Sequence, residues 1–297
     1  VVDQAAEPLR LDPLAINPVV ALMDAGANFP SDTFADYYDF VEAIDDETYD
    51  DARAAYNRLC AAKPGVVDLS VVSLGDPALC ERALRYKRMM NADPSLELGF
   101  VEPPNDLAAA FQERLERGWK LLDAGLPELS AEIRGTIREV VIAGSDPTKK
   151  YQFDGGSHYR LWGALFLNCQ YHPDDIAICE VLAHESAHSL LFGFCTHEPL
   201  VLNDEEDLYA SPLRVDPRPM DGIYHATFVS ARMHWAMTKL ASSGVLDAQQ
   251  QEQARAAAAA DAVNFDAGYG VVAEHGVLTP IGKALMDGAH GYMQSVR

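Results

Sequence analysis

Ile178-Cys-Glu-Val-Leu-Ala-His184-Glu185-Ser-Ala-His188-Ser-Leu-Leu-Phe192 decides how the rest of the chain is read. It contains H-E-x-x-H, and it has the composition of a helix: apolar residues fall on most sides and no proline interrupts it. Residues four apart on an α-helix lie one above the other, so the imidazoles of His184 and His188 can reach one ion. A helix this apolar all round is buried. Burying two imidazoles and a carboxylate carries a penalty that metal ligation or hydrogen bonding must offset. The plain alternative is a pair of core histidines bonded to backbone, and the motif downstream weighs against it.

Composition narrows the function classes. The chain has 297 residues, enough to bury a sizeable core, with 48% hydrophobic and 23% charged residues, as in ordinary globular proteins. Its 45 acidic and 23 basic residues give a net charge of −22, which argues against binding nucleic acid or an anionic membrane over the surface as a whole. The five cysteines (Cys60, Cys80, Cys169, Cys179 and Cys195) form no C-x-x-C pair. They read as reduced core residues of a cytoplasmic protein. No secretory signal pattern and no membrane-length apolar run is visible.

Along the chain, residues 1–30 carry Pro8, Pro13, Pro18 and Pro30 and read as an extended N-terminal arm. Residues 31–297 read as a single catalytic domain, with a helical N-terminal half and the metal site in the C-terminal half. Helices are expected from Ser31 or Asp32 to Ile44, from Asp45 or Asp46 to Ala62, from Asp76-Pro77 to Met90, over Asn105–Ala124 and over Pro127–Arg138. Strands are expected at Val66–Leu74, Glu139–Ala143 and Leu161–Asn168, with Gly155-Gly156-Ser157 as a loop. Beyond the metal helix, 196–221 reads as a long irregular segment, of a length that often carries function. A helix over Gly222–Ser242, an exposed alanine-rich helix over 248–263 and a last helix from Thr279-Pro280 complete the chain. The fold expected is α+β and predominantly helical, with a small sheet beside a buried metal-binding helix in a zincin-like arrangement.

Two histidines rarely suffice for a catalytic metal. Candidates for a third ligand are Glu205, Glu206 and Asp207, 17 to 19 residues beyond His188, and His225 at the start of the next helix. Between them runs Ser211-Pro212-Leu213-Arg214-Val-Asp216-Pro217-Arg218-Pro219. Its three prolines stiffen the backbone that carries two guanidiniums, groups suited to gripping a carboxylate bidentately. Asp216 is expected to pair with one arginine, leaving the other to face the site.

H-E-x-x-H followed by S-P-L-R-x-D-P-R-P-x-x-G-x-x-H resembles the H-E-x-x-H peptide-modification proteins of ribosomal peptide gene clusters, over about residues 178–235. Members of that family are understood as iron(II)- and 2-oxoglutarate-dependent peptide β-hydroxylases. Carried over by position, the resemblance implies His184, His188 and His225 as Fe(II) ligands. It also implies Arg214 or Arg218 as the residue holding the 2-oxoglutarate carboxylate, O2 as the oxidant, and a peptide or amino-acid substrate. Glu185 then orients a ligand or a bound water.

The rival is a Zn metallopeptidase, in which Glu185 is the general base, Glu205 or Glu206 completes the ligand set, and the strand at Gly163–Asn168 holds a peptide by main-chain bonds. The longer H-E-x-x-H-x-x-G-x-x-H form is absent, because Leu191 and Phe194 occupy the Gly and His positions. A third reading is a non-catalytic peptide-binding scaffold, and the intact His184, Glu185 and His188 set argues against it.

Overall fold

A computed structural model describes residues 9–65, 68–91, 99–149 and 152–297. The H-E-x-x-H helix begins one turn earlier than its apolar run. Helix α7 spans Asp175–Phe194, and the Asp174 carboxylate accepts hydrogen bonds from the Ile176 and Ala177 N–H groups at its start. Such a cap contributes about 0.5–2 kcal/mol by pairing N–H groups that have no partner within the helix. The other Asp174 oxygen accepts from Gln253 Nε2, tying the cap to a later helix.

Among the described residues, six α-helices and five strands precede this one. In chain order they are α1 (Asn17–Asp24), α2 (Ser31–Asp45), α3 (Tyr49–Cys60), β1 (Ser70–Ser73), α4 (Glu81–Met90), β2 (Phe100–Val101), α5 (Asn105–Gly125), α6 (Pro127–Thr136), β3 (Glu139–Ser145), β4 (Gly155–Ser157) and β5 (Ala164–Asn168). The sheet runs β1-β3-β5-β4, with β2 on the end of β3. β1, β3 and β5 are parallel, while β4 and β2 are antiparallel to their neighbours.

Period-2 alternation assigns the two faces of the sheet. Val140, Ile142, Leu165 and Leu167 pack into one core with Phe111 and Leu115 of α5 and Ile178 and Leu182 of α7. Val141, Ala143, Ala164 and Phe166 point the other way, toward Ala35 of α2 and Tyr86 and Met89 of α4. Both halves of the chain therefore share one sheet. The architecture is α+β, mainly helical, with a small mixed sheet.

Three helices follow the site: α8 (Met220–Ser242), α9 (Ala248–His275) and α10 (Pro280–Ser295). A two-stranded hairpin, β6 (Leu208–Tyr209) and β7 (Arg218–Pro219), precedes α8. Among the described residues, no helix is long and apolar enough to cross a membrane.

Several expectations are corrected. The segment read as an extended arm forms α1, because Pro18 sits in its first turn, where a proline costs no hydrogen bond; residues 1–8 lie outside the described residues. The first strand is shorter than Val66–Leu74, and Val66 and Val67 lie outside the described residues. The helix expected from Asp76-Pro77 is broken: Pro77–Leu79 is a 3-10 turn, and Cys80, with φ of 46°, separates it from α4. That cysteine is exposed, unlike the buried Cys169 and Cys179. The alanine-rich helix is longer than expected and not simply exposed. Ala254, Ala258, Asp261, Phe265, Gly268 and Val272 are its buried stripe.

Candidate metal centre

His184 and His188 project from α7 into a cavity of about 580 Å³. Their Nε2 atoms lie 3.1 Å apart. Glu185 Oε1 is 3.9 Å from His184 Nε2. One ligand atom from each of these three residues lies within 4.8 Å of the others, and among the described residues no such group includes a fourth member.

Burial keeps the imidazoles in the form a metal ligand needs. Burial pulls the His184 pKa down to about 4 and the His188 pKa well below the ordinary value, the latter helped by the neighbouring histidines. Both imidazoles are therefore neutral near pH 7, the form that ligates a metal. A quarter of the His184 side chain, 24%, still meets the cavity. Burial, with the nearby Asp154 charge, raises the Glu185 pKa to about 8. Glu185 is 4% exposed, and its Oε2 has no hydrogen-bond partner among the described residues. An orphaned buried carboxylate oxygen beside two facing imidazole nitrogens is what a bound cation, or its water, would satisfy.

The opposite wall is β4, and here the sequence reading is corrected. Gly155-Gly156-Ser157 is a strand on the sheet edge, antiparallel to β5. Glycine disfavours strands, which is why the stretch reads as a loop. A Cβ on Gly155 would sit 2.7 Å from Glu185 Oε1, and one on Gly156 would sit 2.8 Å from Met90 Cε. A side chain at either position would force Glu185 of α7 or Met90 of α4 to shift. Because β5 is paired on both sides, by β3 and β4, it offers no free edge to a peptide. The edge facing the cavity belongs to β4.

The proline-rich segment supplies the roof. Leu208 and Tyr209 pair with Pro219 and Arg218, which closes the 210–217 loop into a hairpin tip. Arg214 and Arg218 both line the cavity. Each places its Nε 3.1 Å from a different oxygen of Asp216. The expected division of labour, one arginine on Asp216 and one on the site, is replaced by a shared carboxylate that aims both. Glu205 lines the same cavity, whereas the neighbouring acids lie in an exposed turn in which Asp204 accepts from the Glu206 N–H.

His225, on the first turns of α8, also lines the cavity and is buried. Its Nδ1 lies 2.9 Å from Nδ1 of His188, the nitrogen on the far side of that ring from His184. His225 therefore meets the pair at the back of His188, not in the space between the two Nε2 atoms. On its own other side, Nε2 lies 4.0 Å from Asp221 Oδ1. The signals missed in the sequence are β4 and Asp221; a Gly-Gly pair one strand before a metal helix is the hint that could have found the first.

No protein-family model and no curated protein matches this chain. The resemblance to the peptide-modification proteins thus rests on the two motifs alone.

Proposed function

We propose that the protein is an iron(II)- and 2-oxoglutarate-dependent oxygenase that hydroxylates a β-carbon of an amino-acid residue in a peptide. The observation that carries this reading is that Arg214 and Arg218 line the same cavity as His184 and His188. A 2-oxo acid held at a metal by its oxo-acid end still has a distal carboxylate. Burying that carboxylate without a partner costs on the order of several kcal/mol. A guanidinium at the cavity wall answers this need.

His184 and His188 would hold the metal through Nε2. When bound, iron(II) supplies the activation of dioxygen that couples decarboxylation of the 2-oxo acid to oxidation of a carbon. The remaining work belongs to the protein. One arginine grips the distal carboxylate, and Asp216 keeps both guanidiniums turned inward. Phe192 and Leu213 on the cavity wall limit water. Glu185, a neutral acid near pH 7 by the direction of its shift, holds a proton beside the pair until a cation arrives. The edge of β4 gives an extended substrate chain a row of main-chain groups to pair with.

Zinc-dependent peptide cleavage is the second reading. Glu185, poised near neutrality next to His184, is placed as a general base would be, and Glu205 on the cavity wall is a possible ligand. Titration with 2-oxoglutarate separates the two. Arg214→Lys or Arg218→Lys should weaken 2-oxoglutarate binding by roughly tenfold or more, because lysine lacks the planar fork. If neither variant shifts the affinity, the oxygenase reading loses its support.

A further inference from the structure

We infer that a row of aromatic side chains leading out of the cavity, Phe192, Tyr159, Tyr38 and Tyr37, is a docking surface for an extended peptide. That peptide carries an aromatic or large aliphatic side chain and no net negative charge. This rests on the reading above that the cavity takes a peptide, and not on its oxygen chemistry.

The row starts inside the cavity. Phe192 of α7 lines it, with its ring 5.6 Å from that of His225. On its other side the Phe192 centroid lies 6.3 Å from that of Tyr159. Tyr159 in turn meets Tyr38 of α2 edge to face at 5.0 Å, and Tyr38 meets Tyr37 edge to face at 5.3 Å. At about 3.3 Å per residue, these steps cover no more than about five residues of extended chain. Tyr159 lies two residues beyond the end of β4. A chain paired along the free edge of β4 therefore passes from the cavity onto Tyr159.

The outer rings are more than α2 needs to hold its place beside the site. Phe34 of α2 packs edge to face on Trp162 at 5.2 Å, and Trp162 Nε1 donates to the Ser189 carbonyl of α7. That inner pair already joins α2 to the H-E-x-x-H helix. Tyr37 and Tyr159 are left 43% and 42% exposed.

Tyr159 is nonetheless fixed. Its hydroxyl accepts a hydrogen bond from Arg160 Nε at 3.0 Å, and its ring stacks on His158. Arg160 pairs with Glu42 of α2. An exposed ring that is already held loses little conformational freedom when a partner covers it, which is what makes aromatic side chains effective anchors at binding surfaces. Because Glu42 neutralises Arg160, the row presents an apolar face, and the net charge of −22 repels an acidic chain.

The probe is a random ten-residue peptide library displayed on its own mRNA and selected for binding to the full-length protein. Enriched sequences are expected to share an aromatic or large aliphatic residue and to lack net negative charge. Single enriched peptides should bind Tyr159→Ala and Tyr37→Ala about three- to tenfold more weakly than wild type. They should bind Val263→Ala, which trims a 68% exposed apolar side chain on α9, as wild type does. No enrichment, enrichment of acidic sequences, equal binding to both tyrosine variants, or an equal loss in Val263→Ala would each overturn the assignment. Should Tyr159→Ala fail to fold, Tyr37→Ala at the outer end of the row still decides. Peptide binding is read without turnover, so absence of succinate would contradict the oxygenase and leave the docking surface standing.

Discussion

Gly155 stands so close to Glu185 that a Cβ on it would lie 2.7 Å from the carboxylate oxygen. One hydrogen in place of a methyl group is what lets the edge strand and the H-E-x-x-H helix form two walls of one cavity. Gly155→Ala must push either the strand or the carboxylate aside. Misplacement by about 1 Å at a reacting site costs roughly a hundredfold in rate. We expect a loss of that order in kcat/KM with an unchanged circular dichroism spectrum. A variant as active as wild type would show that Glu185 and β4 do not cooperate.

Asp216 shares its two oxygens between Arg214 and Arg218, with 3.1 Å to each Nε. Asp216→Ala removes the group that aims both guanidiniums and leaves their charges in place. The apparent affinity for 2-oxoglutarate should fall about tenfold, the loss of one well-aimed charge-assisted bond. Thermal stability should change little, since the pairs are partly exposed and such pairs contribute about 0–1 kcal/mol. Equal affinity in the variant would remove Asp216 from the site.

Away from the cavity, Asp261 of α9 is 2% exposed, and its Oδ2 has no hydrogen-bond partner among the described residues. Burial, with the nearby Glu180 charge, raises its pKa to about 8. The folded protein therefore holds a proton that the unfolded chain releases from about pH 4 upward. Where the folded state binds more protons, stability falls as pH rises, here progressively between about pH 4 and pH 8. Asp261→Asn keeps the shape and removes the titration. In denaturant unfolding of metal-free protein it should be more stable than wild type at pH 8, by about 1–3 kcal/mol, with the difference shrinking toward pH 5. A constant offset between the two proteins would contradict this.

The parts of the fold that were legible in the sequence are those where composition and periodicity agree. The apolar run around His184 gave α7, and the β-branched Glu139–Ala143 gave most of β3. What was hidden depended on neighbours distant in sequence. β4 carries two glycines, which resist strand formation, at positions where Glu185 and Met90 press against the strand. The full length of α9 was obscured by its alanines. Yet the buried Ala254, Ala258, Asp261, Phe265, Gly268 and Val272 alternate steps of four and three residues, a pattern visible past residue 263 to a longer window. In the site, the residue types were legible, but side-chain direction was not. Spacing could not say that His225 meets His188 from behind, or that Asp216 would serve both arginines.

Gly118 of α5 lets two helices of the main core touch. A Cβ there would fall 2.3 Å from Ile178 Cγ2, on the first turn of α7. Gly118→Ala overpacks that contact, and such changes cost about 1–3 kcal/mol. The alanine's better helix propensity, worth up to about 1 kcal/mol, offsets part of this. We expect a net loss of stability in denaturant unfolding, partly relieved by pairing the change with Ile178→Leu, which removes the Cγ2 branch that the new Cβ meets. No relief in the double variant would place the strain elsewhere.

The most direct measurement is succinate formation by protein loaded anaerobically with iron(II), given 2-oxoglutarate, and then exposed to oxygen. A metal at His184 and His188 beside an arginine-held 2-oxo acid predicts oxygen-dependent succinate that requires iron and disappears in His184→Ala. No succinate with iron, together with peptide cleavage by the zinc-loaded protein, would contradict it.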